Sequence, residues 1–137
     1  VAKESGLGMT ISVDDSAGTP QAISNDILSV GIKTPRGVQD ITGINKSAIE
    51  RLLLLADAEV ALSGVFNDAA NMSHSVFKNF ATILAGQVGR TVAIAISGQT
   101  LSMEMLFDDY ALTRAADGSL TWTVTGRLAD GTAPAWS

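Results

Sequence analysis

Apolar and polar side chains alternate with a period of two over much of this chain, the pattern of strands that bury one face. The clearest case is Val92, Ile94 and Ile96 interleaved with Thr91, Ala93, Ala95 and Ser97, which predicts a strand over 90–97. Gly98-Gln99 follows with glycine first, as a type II′ turn prefers, and Leu101, Met103, Met105 and Phe107 then alternate with Ser102, Glu104 and Asp108. Asp117-Gly118 supplies the next turn, after which Leu120, Trp122 and Val124 alternate with Thr121, Thr123 and Thr125. Residues 90–126 therefore predict a three-stranded antiparallel meander. Its core face is expected to hold Val92, Ile94, Ile96, Leu120, Trp122 and Val124.

In the first half, Met9, Ile11 and Val13 predict a short strand before the turn-rich run Asp14 to Pro20. Ile27, Val30 and Ile32 predict another over 27–34, with Gly31 marking a bulge and Pro35-Arg36-Gly37 ending it. Ser47-Ala48-Ile49-Glu50 fits a capping box, in which serine oxygen and glutamate carboxylate satisfy free donors at the start of a short helix. Leu52 to Phe66 is ambiguous at its start, but Val60, Leu62, Gly64 and Phe66 alternate with Glu59, Ala61 and Ser63, which favours a strand from about residue 56. Ser73 is placed to cap a longer helix, because Val76, Phe77, Phe80, Ile83 and Leu84 recur at helical spacing and Gly86 can end it. Phe77, Phe80 and Leu84 are expected to pack on the core. The fold class is α+β, mainly antiparallel β: a β-sandwich or small barrel with one flanking α-helix.

The length of 137 residues suits one domain spanning 1–137, with extended arms at about 1–8 and 127–137. Only 5% of residues are aromatic, so the apolar mass is aliphatic and suits a thin β-layered core better than a ligand pocket. A net charge of −5 opposes a stable grip on nucleic-acid phosphates. Without cysteine there is neither a disulfide framework nor a thiolate metal site. The first residues lack a secretory apolar stretch, and Asp57 interrupts the apolar run Leu52 to Ala56 far short of a membrane span, so synthesis and retention in the cytosol are expected.

Sequence motifs for chemistry all have a simpler reading. His74 is the only histidine and has no second ligand for a metal, so a surface or capping role at the helix start accounts for it. Asp108-Asp109 could be a carboxylate pair, but strand neighbours point to opposite faces. Asp14-Asp15 lies in a turn that aspartate favours and lacks the oxygen spacing of a calcium loop. Ser75-Val76-Phe77-Lys78 matches S-x-x-K without its companion motifs, Gly6-Leu7-Gly8 lacks the third glycine of a dinucleotide loop, and Asn71-Met72-Ser73 is a sequon without a secretion signal. No catalytic, cofactor-binding or metal-binding residue is assigned, and an enzyme is not expected.

The stretch from Ile23-Ser24-Asn25-Asp26 through Thr34-Pro35-Arg36-Gly37-Val38-Gln39-Asp40 to Thr42-Gly43-Ile44-Asn45-Lys46-Ser47-Ala48 resembles the N-terminal half of siphophage tail tube (major tail) proteins. Gly64-Val65-Phe66-Asn67, Asp109-Tyr110, Arg114 to Trp122 and Leu128 to Trp136 continue the resemblance in the same order. It implies a tail tube fold assembled into stacked hexameric rings around a tape measure protein, with tail terminator and distal tail proteins at its ends. Genome DNA would pass through without stable binding, and the subunit would reside in the virion tail after synthesis in the bacterial host cytoplasm. Another virion component, such as a capsid decoration protein, or a small β-rich binding module stands as the alternative. Segments 1–8, 14–26, 34–47 and 127–137 are expected to be extended and to order against neighbouring subunits. Within them Asp14, Asp15, Thr34, Pro35, Arg36, Asp130, Pro134 and Trp136 are the inter-subunit candidates. Alternation turns Asp57, Glu59, Ser102, Glu104 and Asp108 away from the core, toward either the lumen or the exterior; a conduit for phosphates favours the lumen.

Overall fold

The alternating segments pair into one antiparallel sheet in the computed structural model, which describes residues 3–82 and 89–137. Its strands are β1 (Thr10–Asp14), β2 (Pro20–Ala22), β3 (Ile27–Lys33), β6 (Glu59–Val65), β7 (Arg90–Ile96), β8 (Gln99–Arg114), β9 (Leu120–Leu128) and β10 (Ala135–Trp136). They run in the order β2-β1-β7-β8-β9-β6-β3, with β10 pairing β8 beyond the end of β9. The remaining strands, β4 (Arg36–Asp40) and β5 (Arg51–Ala56), pair only with each other.

The connection between β2 and β3 shows that this sheet curls. Laid flat, seven strands would put β2 and β3 roughly 29 Å apart at about 4.8 Å per strand. Ala22 and Ile27 are five peptide units apart, a reach of at most about 18 Å. The two ends of the sheet must therefore approach each other, joined by a 3-10 turn at Ser24–Asp26. Ile23 is fully buried there; its N–H donates to the Ile11 carbonyl, while the Ser24 hydroxyl accepts from the Ile11 N–H at 2.8 Å. No ladder joins β1 to β3. The result is an open barrel with a seam.

The core lines the inside of this curl. Ile11, Val13, Val60, Leu62, Val92, Ile94, Leu101, Met103, Met105, Phe107, Trp122 and Val124 come from the buried phase of the strands, and Val76 and Phe77 from helix α1 (Ser73–Phe77). Ile96 and Leu120, expected inside, are half-buried because they lie at strand ends where the curl opens.

Several local expectations are corrected. The Ser97-Gly98 pair forms the β7–β8 turn with both φ angles positive (51° and 79°), a type I′ arrangement, and Gln99 already belongs to β8. Gly31 pairs regularly with Ala61; the bulge falls between Ile27 and Ser29. Ser47 to Glu50 is not helical: Thr42 Oγ1 donates to Asp40 Oδ1 and accepts from the Glu50 N–H at 2.9 Å, and Glu50 pairs with Lys46 at 3.5 Å instead of reaching back to Ser47. The strand expected from about residue 56 is β6, starting at Glu59, and the ambiguous residues before it form a further strand, β5, separated from β6 by Asp57 and Ala58. Helix α1 has five residues and a second 3-10 turn follows at Phe80–Thr82; Ile83, Leu84 and Gly86 lie outside the described residues. Residues 20–26, within the segment 14–26 expected to order only against neighbouring subunits, form β2 and the first 3-10 turn against β1 of the same subunit.

Candidate assembly surfaces

The β4–β5 hairpin departs most from the alternating rule. Leu52-Leu53-Leu54-Leu55 is a continuous apolar run, the pattern of a strand covered on both faces. Val38 lies opposite Leu53 and Gln39 opposite Leu52, so Leu53 and Leu55 share one face and Leu52 and Leu54 the other. All four leucines are exposed, Leu55 at 89%, as are Val38, Ile41, Ile44 and Ile49. A two-stranded hairpin without a further layer is marginal in water. Its base is fastened nonetheless: the Arg36 guanidinium donates from Nε and Nη2 to the Leu54 carbonyl at 3.0 and 2.6 Å, and the Asp57 N–H donates to the Pro35 carbonyl at 3.0 Å. Thr34, Pro35 and Arg36, selected from sequence, thus form the base of the hairpin, whereas its apolar strand was read only as ambiguous.

The outward face of the barrel carries the opposite character. Ser102 and Asp108 are exposed, Glu104 half-buried, and all three alternate with the buried Leu101, Met103, Met105 and Phe107. Glu59 and Asp108 converge on Arg127, each at 3.8 Å, so this acid pair is partly neutralised. Asp57 is exposed in the short connection between β5 and β6, and Glu104 accepts from the Thr91 hydroxyl at 3.3 Å. Serine, threonine and alanine fill much of the rest of this face, including Ser12, Thr91, Ala93, Ala61, Ser63 and Thr123.

Of the other inter-subunit candidates, Asp14 ends β1 and its carbonyl accepts from Arg90, while Asp15 is engaged within its own turn. Asp15 accepts from the N–H groups of Ala17 and Thr19 and from the Gln21 amide, which together hold its carboxyl below the usual range. Asp130 accepts from the Thr132 N–H in a turn, Pro134 is half-buried, and Trp136 pairs through its backbone with Leu101 while its side chain is half exposed.

Helix α1 is held by groups the sequence reading passed over. Asp26 is buried and accepts from the Asn67 amide at 2.8 Å and the Ser73 N–H at 3.0 Å. Arg90 is also buried, donates to the carbonyls of Val76 and Asp14, and lies 4.0 Å from the centre of the Phe80 ring. Burial lowers its pKa, against the pull of Asp15 and Asp14. The signal for Arg90 was available, since it has the same parity as Val92 and Ile94; Asp26 sits in a turn and carries no such mark. His74 does not cap the helix: its Nδ1 is 3.1 Å from the Tyr110 hydroxyl and its ring packs on Phe66. Burial raises the Tyr110 pKa. Asp108 and Ala111 flank a bulge in β8, within which Asp109 adopts a positive φ of 53°.

Among the described residues, no group of three or more histidine, cysteine, aspartate or glutamate side chains is placed to hold a metal ion. No helix among them is long and apolar enough to cross a membrane.

No protein-family model and no curated protein matches this chain. Solved structures do. A chain of the tail of an empty gene transfer agent particle, computed with C6 symmetry, superposes with a TM-score of 0.72 at 17% identity over 98% of both chains. A chain of the native gene transfer agent virion gives 0.73 at 16% identity over 98% of this chain and 99% of that one. A chain of the anti-feeding prophage baseplate, six-fold symmetrised, gives 0.65 at 11% identity over 100% and 97%. The open barrel described above is therefore the fold of these tail and baseplate chains across essentially its whole length.

Proposed function

We propose that this chain is a tail tube subunit of a phage or phage-like particle, polymerising into stacked six-membered rings that form a conduit for DNA. The observation that carries this reading is the β4–β5 hairpin, whose two exposed apolar faces need neighbours on both sides. A surface of that kind is an interaction site or an aggregation liability. Full-length agreement with chains from a six-fold tail and a six-fold baseplate favours the former and suggests copies of the same chain as the neighbours. The role is structural and needs no catalytic group. A tape measure protein inside, and terminator and distal tail proteins at the ends, are the further partners of such a tube.

Asp57, Glu59, Ser102, Glu104 and Asp108 line the lumen in this reading. Like charge keeps phosphates from adhering, and a carboxylate repeated around every ring adds to the field along the channel, within a Debye length of about 8–10 Å. The test is electron microscopy of the concentrated protein. Tubes or rings with six-fold symmetry are expected; particles that stay monodisperse and monomeric would refute the tube and favour a capsid decoration protein or a binding module.

A further inference from the structure

Among the described residues, two apolar surfaces stand out as uncovered, and they lie at opposite ends of β3. The hairpin departs from the C-terminal end, starting at Arg36 after Lys33. A groove of about 350 Å³ lies at the seam beside the N-terminal end, lined by Leu7, Met9, Ile11, Ile27, Leu28 and Val30 among others. Among the described residues outside 38–55, Leu7 at 89% and Leu28 at 71% are the most exposed large apolar side chains, and both line this groove. The groove also offers a backbone edge. β3 is paired on one side only, with β6, so its other row of N–H and C=O groups is open to a further strand.

We propose that this groove is the acceptor for the β4–β5 hairpin of a second copy of the chain. The chemistry matches on both counts: leucines of the donor fill an apolar cleft, and a donor strand edge meets a free strand edge. Charge agrees. Residues 36–56 hold Arg36, Lys46 and Arg51 against Asp40 and Glu50, whereas the rest of the chain holds six basic and twelve acidic side chains. The hairpin is therefore slightly basic and the body as a whole acidic, which favours their encounter, while the uncharged lining of the groove suits the leucines themselves. Because donor and acceptor are different surfaces, the contact is heterologous, and such contacts produce closed rings or open filaments instead of two-fold dimers. Each copy that donates its hairpin keeps its own groove free for the next.

This inference rests on the tube reading and names its interface. The chain has no cysteine, so introduced thiols report proximity without background. Leu53→Cys and Leu28→Cys are prepared as separate full-length proteins, mixed, assembled and oxidised; a donor–acceptor disulfide dimer is expected, and a ladder from the double variant. A second pair, Leu55→Cys with Leu7→Cys, covers small errors of register. Six-fold tubes that give neither link overturn the hairpin-in-groove contact and leave the tube standing, whereas wild-type protein that never assembles overturns both. Leu28→Glu should raise the concentration needed for assembly about tenfold or more without lowering Tm; undiminished assembly would also overturn the proposal.

Discussion

At Gly64 a single methyl group would lie 1.9 Å from the Asp26 carbonyl oxygen and 2.9 Å from the Trp122 ring, because β3 bulges against β6 there. The contact is to backbone, which cannot swing away, so Gly64→Ala is expected to cost about 1–3 kcal/mol or more, measured by denaturant unfolding. Phe77 is fully buried and packs on Phe80, Phe107, Tyr110 and Trp122, so Phe77→Ala should cost about 3–5 kcal/mol. Phe80, half-buried under Arg90, should cost less, although helical spacing alone places both on the core. The acid limb of stability belongs to Asp15, Asp40 and Asp117, whose carboxyls are all held below the ordinary value of 3.8, Asp15 and Asp117 chiefly by backbone N–H groups and Asp40 by the Thr42 hydroxyl. A depressed folded pKa stabilises above the unfolded value and is lost as pH falls through the folded one. Stability should therefore hold down to about pH 4 and decline below it, and Asp15→Asn should flatten part of that decline in a pH series of Tm.

At the scale of elements, the hairpin is separable from the core, since its side chains are exposed and it pairs with no other strand. Leu53→Asp should leave Tm within about 2 °C while abolishing tubes in sedimentation, since a surface change away from core features moves stability by under about 0.5 kcal/mol. A large loss of Tm would mean that the hairpin supports the subunit itself. The meander β7-β8-β9 was legible because one face is dry and one wet, which is what a period of two records. β5 was not, because four successive leucines carry no period and no described part of the subunit covers either of their faces. The failed capping box has a related cause: Ser47 and Glu50 suit a helix start, but Asp40 and Thr42 close the loop first, with Glu50 held by Thr42 and Lys46. In the helix after Ser73, spacing identified the buried Val76 and Phe77 correctly and the length wrongly, since Arg90 takes the Val76 carbonyl in place of a continuing turn. Pairing between distant strands, and the seam that results, left no mark on any single segment.

At the scale of the whole molecule, the proposed lumen assignment of the acidic face can be tested through transport. Since Glu59 and Asp108 share Arg127, Asp57 and Glu104 carry the charge that no cation among the described residues pairs with. Asp57→Lys with Glu104→Lys should preserve tubes but slow DNA ejection at low salt, with recovery as salt rises, read by a dye-exclusion assay on assembled particles. Unimpaired ejection from tubes verified to carry both lysines would move these residues to the exterior. The seam between β1 and β3 has a mechanical consequence. A closed barrel changes girth only by breaking a rung of its ladder, whereas this one is fastened at that point by the short link through Ile23 and Ser24 and by apolar contact. Strain applied across the subunit should therefore concentrate at one line, letting the wall flex there while the hydrogen-bonded strands stay rigid. Amide exchange at Ile11 and Ile23 should accordingly be faster than at Val92 and Ile94, and a pipe built from such staves would bend by gaping slightly at each joint of its own making.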